Sequence, residues 1–480
     1  MNDRKGFGSN FGFLMAAVGS AVGLGNIWGF PNKMGANGGF PFLILYLALA
    51  LCCGVIIMLG ELALGRKTGH GAVGAYQSIS KRFKWLGWLG IAAAALIFSF
   101  YSALGGYCLR YVVVNFGNLI GAEFGTNGVG GADVFQGLLS QPDVSIAFAL
   151  AFMLITMLVV MSGVGGGIER VCSVGMPALF FILIICIIRS CTLPGAVDGL
   201  KYMFVPGWAV ANGIIDEAPG FWRVLTAAGG QMFFSLSLGA GVMITYGSYL
   251  DKKQDLGKSA MIIVGMDTVV ALMAGLCVIP GRFALDPSGD LGGPELLFIT
   301  MQNVFDKMGP AGPVFGILFY LLVFFAAISS SISMLEVIVA HFCDKAREKG
   351  KGDRRKLYSA IAVVICAALC ALVCADGMGS NHISPAELLG LAGAKLPGWS
   401  TSWLGLFDSV AEGLLMPLGA LLMCLMISWE LKPDALRQEI LLNGENRPWV
   451  YDFFRLCVKY ITPLCMLMIL YGQISDFFIV

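Results

Sequence analysis

Long apolar runs separated by short polar connections dominate this chain. Runs of spanning length fall at about 8–34, 39–64, 88–120, 145–162, 171–190, 221–250, 258–280, 313–343, 357–375, 403–429 and 451–479, where about 20 apolar residues suffice to cross a bilayer as a helix. The pattern predicts eleven membrane-spanning helices. Two of the runs are interrupted. The first holds GSAVGLGNIWGFP from Gly19 to Pro31, with glycine at 19, 23, 25 and 29 and Asn26 in the middle. The sixth holds GGQMFFSLSLGAGVMITYGSY from Gly229 to Tyr249, broken up by Ser235, Ser237, Gly239 and Gly241. A membrane helix this rich in glycine can break. The N–H and C=O groups so freed are tolerated at membrane depth only where they line a cavity or are buried in protein. Each stretch is therefore a candidate binding site. The alternative reading is a packing face of small residues.

Composition and charge narrow the class. The 480 residues are 57% hydrophobic and 13% charged, with a mean hydropathy of +0.80, whereas soluble domains carry about 25% charge. This is the composition of a polytopic membrane protein. The net charge of +1 speaks against a nucleic-acid partner. Fourteen cysteines are scattered, mostly in apolar runs such as that of Cys366, Cys370 and Cys374. Buried free cysteine behaves as a small hydrophobe, so no disulfide framework is read. The first apolar run holds the glycine break and leads straight into further spans, so no cleavable signal peptide is expected.

Most of the 31 lysines and arginines fall in alternate connections. They include the run Lys345, Arg347, Lys349, Lys351, Arg354, Arg355 and Lys356, which reads as a solvated inner loop. Positive charge favours the cytoplasmic side. The N-terminus is therefore expected in the cytoplasm and the C-terminus outside, in the plasma (inner) membrane. The Gly-rich, polar stretch 121–144 reads as an outer loop. His70, His341 and His382 are isolated, and no zinc spacing, P-loop, dinucleotide fingerprint or nucleophile elbow stands out. An enzyme is not expected. Two acidic residues stand out. Asp267, in VGMDTVVALMAG, is ionisable at membrane depth and so a functional candidate by default. Glu61 precedes Arg66 by several residues and is expected to be buried.

Gly-interrupted helices in corresponding places of two chain halves point to the binding site of a secondary transporter. The segments AVGLGNIW and FP within 21–31, GELALGR at 60–66, GQMFFSLSLGAG at 230–241 and FFAAISSSISMLE at 324–336 resemble the neurotransmitter:sodium symporter family. The resemblance covers nearly the whole chain. It implies an all-α LeuT-type fold with a 5+5 inverted repeat of helices, the first and sixth broken, plus one extra helix. The repeats would be 1–190 and 221–429, followed by an inner loop and eleventh helix in 430–480. Most of the family has twelve helices. The stretch 291–312 resembles the family's outer loop that folds over the vestibule. The implied activity is Na⁺-driven symport of neutral, mainly hydrophobic amino acids by alternating access, with the monomer sufficient for transport.

Broken half-helices present N–H groups to an anion and carbonyls to a cation. The resemblance places a first sodium site at the Ala21 carbonyl, Asn26, Ser235 and Asp267. It places a second at the Gly19, Val22 and Ala326 carbonyls with Ser329 and Ser330. The substrate carboxylate would face Leu24, Gly25 and Tyr101. The amine would face carbonyls of the sixth helix and Ser237. The side-chain pocket would comprise Ile97, Phe234, Ala240, Ser330 and Met334. Monoamine relatives carry Asp where this chain has Gly23, which implies a substrate bringing its own carboxylate. Ala240, where LeuT has Phe, leaves room for a large side chain. Chloride-dependent relatives carry Ser one turn after Asp267, where this chain has Ala271. Asp267 is thus expected to supply the compensating charge, without a requirement for chloride. The rival reading is that Asp267 carries a proton through the cycle.

The gates resemble the family's in part. Tyr101 and Phe234 match the aromatic lid. Arg4 and Asp344 match the inner ion pair, supported by Tyr249, and Glu336 stands where relatives usually have Gln. Asp408 matches the outer acidic partner, but Gly29 replaces its arginine. Lys33 or Arg223 is then the expected donor to Asp408, unless the aromatic lid closes alone. Gly29 also keeps open a second class of function, a membrane sensor that binds an amino acid without moving it.

Overall fold

The computed structural model describes residues 6–126, 128–285, 295–352, 354–390, 398–441 and 448–478. Among them there is no strand. Nine helices are long and apolar enough to cross a membrane, and a tenth span is a pair bent by 45°. That pair is α1 (Asn10–Ala21) and α2 (Gly25–Ala36). The nine are α3 (Phe40–Thr68), α4 (Lys81–Ile120), α5 (Pro142–Met161), α6 (Val164–Cys191), α9 (Leu256–Leu285), α10 (Gly309–Glu348), α11 (Arg355–Gly379), α12 (Trp403–Leu431) and α13 (Pro448–Ser475). Between α6 and α9 the expected sixth span is two shorter helices, α7 (Phe221–Leu236) and α8 (Val242–Gly247). The end at which α1 begins is called inner below, following the expectation from the basic residues.

The breaks lie where glycine predicts them. Ser9 starts α1 by accepting the Gly12 N–H at 2.9 Å, a standard N-cap. The helix ends as Val22 turns extended (φ −73°, ψ 101°). In the sixth span, Ser237, Gly239 and Gly241 all take positive φ, at 53°, 80° and 73°. Glycine accepts that conformation readily, whereas serine adopts it only where its surroundings hold it. Ser237 is held by donating its hydroxyl to the Ser20 carbonyl at 3.1 Å. The two breaks therefore lie against each other.

Other glycines let backbones touch. A Cβ at Gly65 on α3 would fall 2.0 Å from the Ile244 carbonyl oxygen of α8, and one at Gly247 would fall 2.6 Å from the Leu62 oxygen. These contacts clamp α8 to α3. Outside the bundle, 121–144 is more ordered than its polar composition predicts. Gly131–Leu139 is a helix, tied across to the helical stretch Leu296–Asp306 by the Gly131 N–H on Asn303 Oδ1 (2.9 Å). Phe135 stacks on Phe298 at 5.3 Å. Tertiary contacts with apolar rings order a segment whose own sequence reads as loop. Of the vestibule-loop expectation at 291–312, residues 291–294 lie outside the described residues.

Replacing Gly65 by Ala is expected to lower stability by about 1–3 kcal/mol, the usual cost of overpacking. It is read as a fall in the thermal midpoint of the purified protein. Gly175→Ala, where nothing lies within 4 Å of the added carbon, is expected to leave the midpoint unchanged or slightly raised.

Candidate functional site

Four elements build a carboxylate-centred cluster beside the breaks. Asn26 at the start of α2 donates Nδ2–H to Asp267 Oδ1 at 2.7 Å and to the Asp267 carbonyl at 3.0 Å. Ser235 at the end of α7 donates its hydroxyl to the same carboxylate, with oxygens at 2.9 and 3.0 Å. Tyr46 on α3 donates to Oδ2 at 3.2 Å. Asn26 Oδ1 accepts the Gly23 N–H at 3.0 Å, which fastens the break to the cluster. Asn26, Ser235, Tyr46 and Asp267 are all fully buried. An oxygen-rich cradle with one negative charge suits a hard monovalent cation.

A second oxygen cluster joins the first break to α10. Ser329 Oγ lies 3.0 Å from the Ala326 carbonyl and 3.5 Å from that of Val22. Ser330 Oγ lies 3.3 Å from the Gly19 carbonyl, 3.1 Å from that of Ser20 and 3.4 Å from that of Val22. Gly19 eases this close approach, since its added Cβ would come within 3.2 Å of Ser329 Cβ.

Between the clusters, Leu24 N–H donates to the Tyr101 hydroxyl at 2.7 Å. A Cβ at Gly23 would sit 2.4 Å from that hydroxyl and 2.3 Å from Ser330 Oγ. A Cβ at Gly25 would sit 3.1 Å from Ser235 Cα. A side chain at Gly23 would have to displace both hydroxyls, so glycine there keeps the backbone of the break approachable. Tyr101 and Phe234 meet edge-on at 6.4 Å. Ile97, Ala240 and Met334 are buried on three different elements. Glu61 is buried on α3 and accepts the Gly239 N–H of the second break at 2.7 Å.

The profile of the sodium:neurotransmitter symporter family matches residues 4–127 and 132–478. The chain belongs to this family. It is 36% identical over 477 residues to the uncharacterized sodium-dependent transporter YhdH of Bacillus subtilis (strain 168), covering 97% of each chain. It is 26% identical over 416 residues to the sodium-dependent nutrient amino acid transporter 1 of Drosophila willistoni, covering 72% of this chain and 62% of that one. It is similar in structure to MhsT in complex with L-phenylalanine, with a TM-score of 0.83 and 34% identity over 98% of this chain and 100% of that one. The chain is thus a sodium-dependent transporter of LeuT-type fold, and not an enzyme.

The residues expected at the gates are paired as follows. At the outer end, Lys33 on α2 pairs with Glu412 on α12. Asp408, the expected partner, lies one turn earlier on the same helix. Arg223 donates instead to the Ala36 carbonyl at 3.3 Å, closing the end of α2. The space beside Gly29 is taken by Gln231. A Cβ at Gly29 would fall 2.9 Å from Gln231 Oε1, while Gln231 Nε2 donates to the Gly25 carbonyl at 2.5 Å. At the inner end, Arg355 makes a forked pair with Glu336, with distances of 2.6 and 3.0 Å. Tyr249 donates its hydroxyl to Glu336 Oε1 at 2.6 Å. Asp344 accepts the Gly71 N–H at 3.1 Å and lies 3.8 Å from Arg347. Arg4 lies outside the described residues.

Tyr46, Glu412 and Arg355 escaped the sequence reading. Glu412 carried a signal, as an acidic residue inside an apolar run four positions after Asp408. Arg355 sits in a basic run that reads as solvated, yet its side chain is only 15% exposed and faces a fully buried carboxylate.

Arg355→Ala is expected to strand that carboxylate and cost about 3–5 kcal/mol, as breaking a buried pair does. The double variant R355A/E336Q is expected to recover most of the loss. Thermal midpoints of the four proteins of this cycle check it.

Proposed function

We propose that the chain is a Na⁺-driven symporter of neutral, mainly hydrophobic amino acids, working by alternating access. The observation carrying this reading is the meeting of two broken spans between two buried oxygen clusters, one of them centred on Asp267. The first cluster, completed by the Ala21 carbonyl, takes one Na⁺. The second, formed by Gly19, Val22, Ala326, Ser329 and Ser330, takes another. The substrate carboxylate binds the N–H groups near Leu24 and Gly25 and the Tyr101 hydroxyl, and it also touches the first Na⁺. The amine faces Ser237 and the carbonyls around it. Ile97, Phe234, Ala240, Ser330 and Met334 receive the side chain. The similarity to MhsT in complex with L-phenylalanine and to a nutrient amino acid transporter supports this substrate class. Apolar pockets separate substrates weakly, by about 1–3 kcal/mol per methylene, so specificity is broad.

Residues 1–190 and 221–429 act as the two inverted repeats, with 430–480 as an addition to them. The N-terminus is cytoplasmic, the C-terminus is outside, and one monomer suffices. Asp267 supplies the negative charge at the first Na⁺, and chloride is not required, since Ala271 offers no side-chain hydroxyl one turn later. The outer gate closes through Lys33 on Glu412 with Asp408 beside them, and the inner gate through the Asp344 and Glu336 clusters.

The decisive experiment is uptake of labelled hydrophobic amino acids into proteoliposomes under an inward Na⁺ gradient, with choline as control. Accumulation only with Na⁺ is expected. Sodium-dependent binding without accumulation would instead indicate a sensor. Uptake driven by a proton gradient alone would give Asp267 the proton-carrying role. A second expectation concerns the anion. Wild-type uptake persists when gluconate replaces chloride, whereas Asp267→Asn weakens the apparent Na⁺ affinity by about tenfold or more. A carboxylate near 4 Å from a cation contributes several kcal/mol at an effective dielectric near 20. Loss of wild-type uptake in gluconate would overturn the charge assignment.

A further inference from the structure

The inner start of α1 is held on two sides. On one side Phe7 packs edge-on against Tyr246 of α8 and Tyr249, at 5.6 and 6.2 Å. On the other, a single carboxylate gathers its first turn. Gly8 N–H donates to Glu169 Oε2 at 2.7 Å, and the Ser9 hydroxyl donates to Glu169 Oε1 at 2.9 Å. Ser9 meanwhile accepts the Gly12 N–H, so its hydroxyl relays the helix terminus to the carboxylate. Gly12 makes room for this contact, since its added Cβ would fall 1.9 Å from Glu169 Oε1. A carboxylate at a helix N-terminus is favoured by both the free N–H groups and the helix dipole.

Glu169 stands on an unusual element. It ends the widened turn Val164–Glu169 that opens α6, which follows Gly163 (φ 84°) and contains Gly165, Gly166 and Gly167. That turn and the start of α1 form one wall of an inner cavity of about 790 Å³. Ala340, Cys343 and Asp344 of α10 line the same cavity. Any widening of this cavity by α1 leaving α6 must first break the two bonds to Glu169.

We propose that Glu169 is a positioning residue of the inner gate, a latch that holds the start of α1 against the glycine turn of α6 while the inner end is closed. The latch rests on the alternating-access reading for its role in transport, but not for its existence. Its release detaches α1 from α6. Loss of the latch favours the inward-open state and so weakens Na⁺ binding.

The test is hydrogen–deuterium exchange of the full-length protein in lipid nanodiscs, combined with equilibrium binding of radiolabelled sodium. In Glu169→Ala, exchange is expected to quicken both in residues 8–21 and across the cavity in residues 340–347. The expected factor is about tenfold or more, the size carried by charge-assisted hydrogen bonds. The apparent Na⁺ affinity is expected to fall by a similar factor. Glu169→Gln keeps one acceptor and gives an intermediate effect. Gly12→Ala leaves Glu169 in place but displaces its carboxylate, and is expected to reproduce Glu169→Ala. It also serves if the latter fails to fold. Ser162→Ala, on the rim of the same cavity, leaves both readouts at the wild-type level. Quickening confined to residues 8–12 with unchanged Na⁺ affinity would mean that Glu169 is only a helix cap, and would overturn the proposal. Wild-type exchange in both Glu169→Ala and Gly12→Ala would do the same. If wild-type protein shows no response to Na⁺, the functional reading fails, while the exchange across the cavity still decides the latch.

Discussion

Everything in this bundle depends on satisfying the backbone groups that two broken spans set free. At membrane depth no water is on hand to do so. The partners come instead from side chains that also form the candidate site. Asn26 takes the Gly23 N–H, Tyr101 takes the Leu24 N–H, and Glu61 takes the Gly239 N–H. Ser237 and Ser330 donate to the Ser20 carbonyl. The same contacts explain the glycines. A side chain at Gly23 would collide with Tyr101 and Ser330, and one at Gly19 or Gly25 would crowd Ser329 or Ser235. Substituting Tyr101 or Asn26 therefore disturbs the break and the site together, and a change in binding there is also a change in local folding.

The ion pair at the outer end follows from the same close contacts. Gln231 takes the Gly25 carbonyl and fills the space beside Gly29. A long basic side chain at 29 would have to displace it. The basic residue sits one turn further out, at Lys33, and the carboxylate it meets lies one turn later on the oppositely running α12, at Glu412 rather than Asp408. A shift of one turn on both partners keeps the pair on the facing sides of α2 and α12, because residues four apart share a helix face.

Apolar length made the spans legible in the sequence, and glycine spacing made the breaks legible. The clustering of Asn26, Ser235 and Asp267, and of Ser329 and Ser330 with the first break, was legible only through resemblance to a family, because no local pattern says which distant helix a serine will face. Arg355 was hidden for that reason. Its neighbours are charged and its run looks solvated, while its partner Glu336 lies 19 positions away on another helix. The helix Gly131–Leu139 was hidden because its order comes from Phe298 and Asn303, beyond the reach of any local window.

The buried carboxylates of the candidate site and of the two ion pairs differ in how their charge is met. Glu336 has a guanidinium and a phenol. Glu412 has the Lys33 ammonium. Glu61 faces the N–H groups of an opened helix turn, whose dipole carries partial positive charge. Asp267 has an amide and two hydroxyls, all neutral. Such donors orient a carboxylate and share its field, but they do not neutralise it. A charge left in this condition inside a protein is costly unless a counter-ion is brought to it. Fixed cations would lock the site permanently in one state, whereas a cation from solution fills it only for part of a cycle. Among the described residues no cationic side chain faces Asp267, which is the arrangement the proposed Na⁺ site requires, whereas the built-in partners at Glu336 and Glu412 suit the gate roles proposed for them.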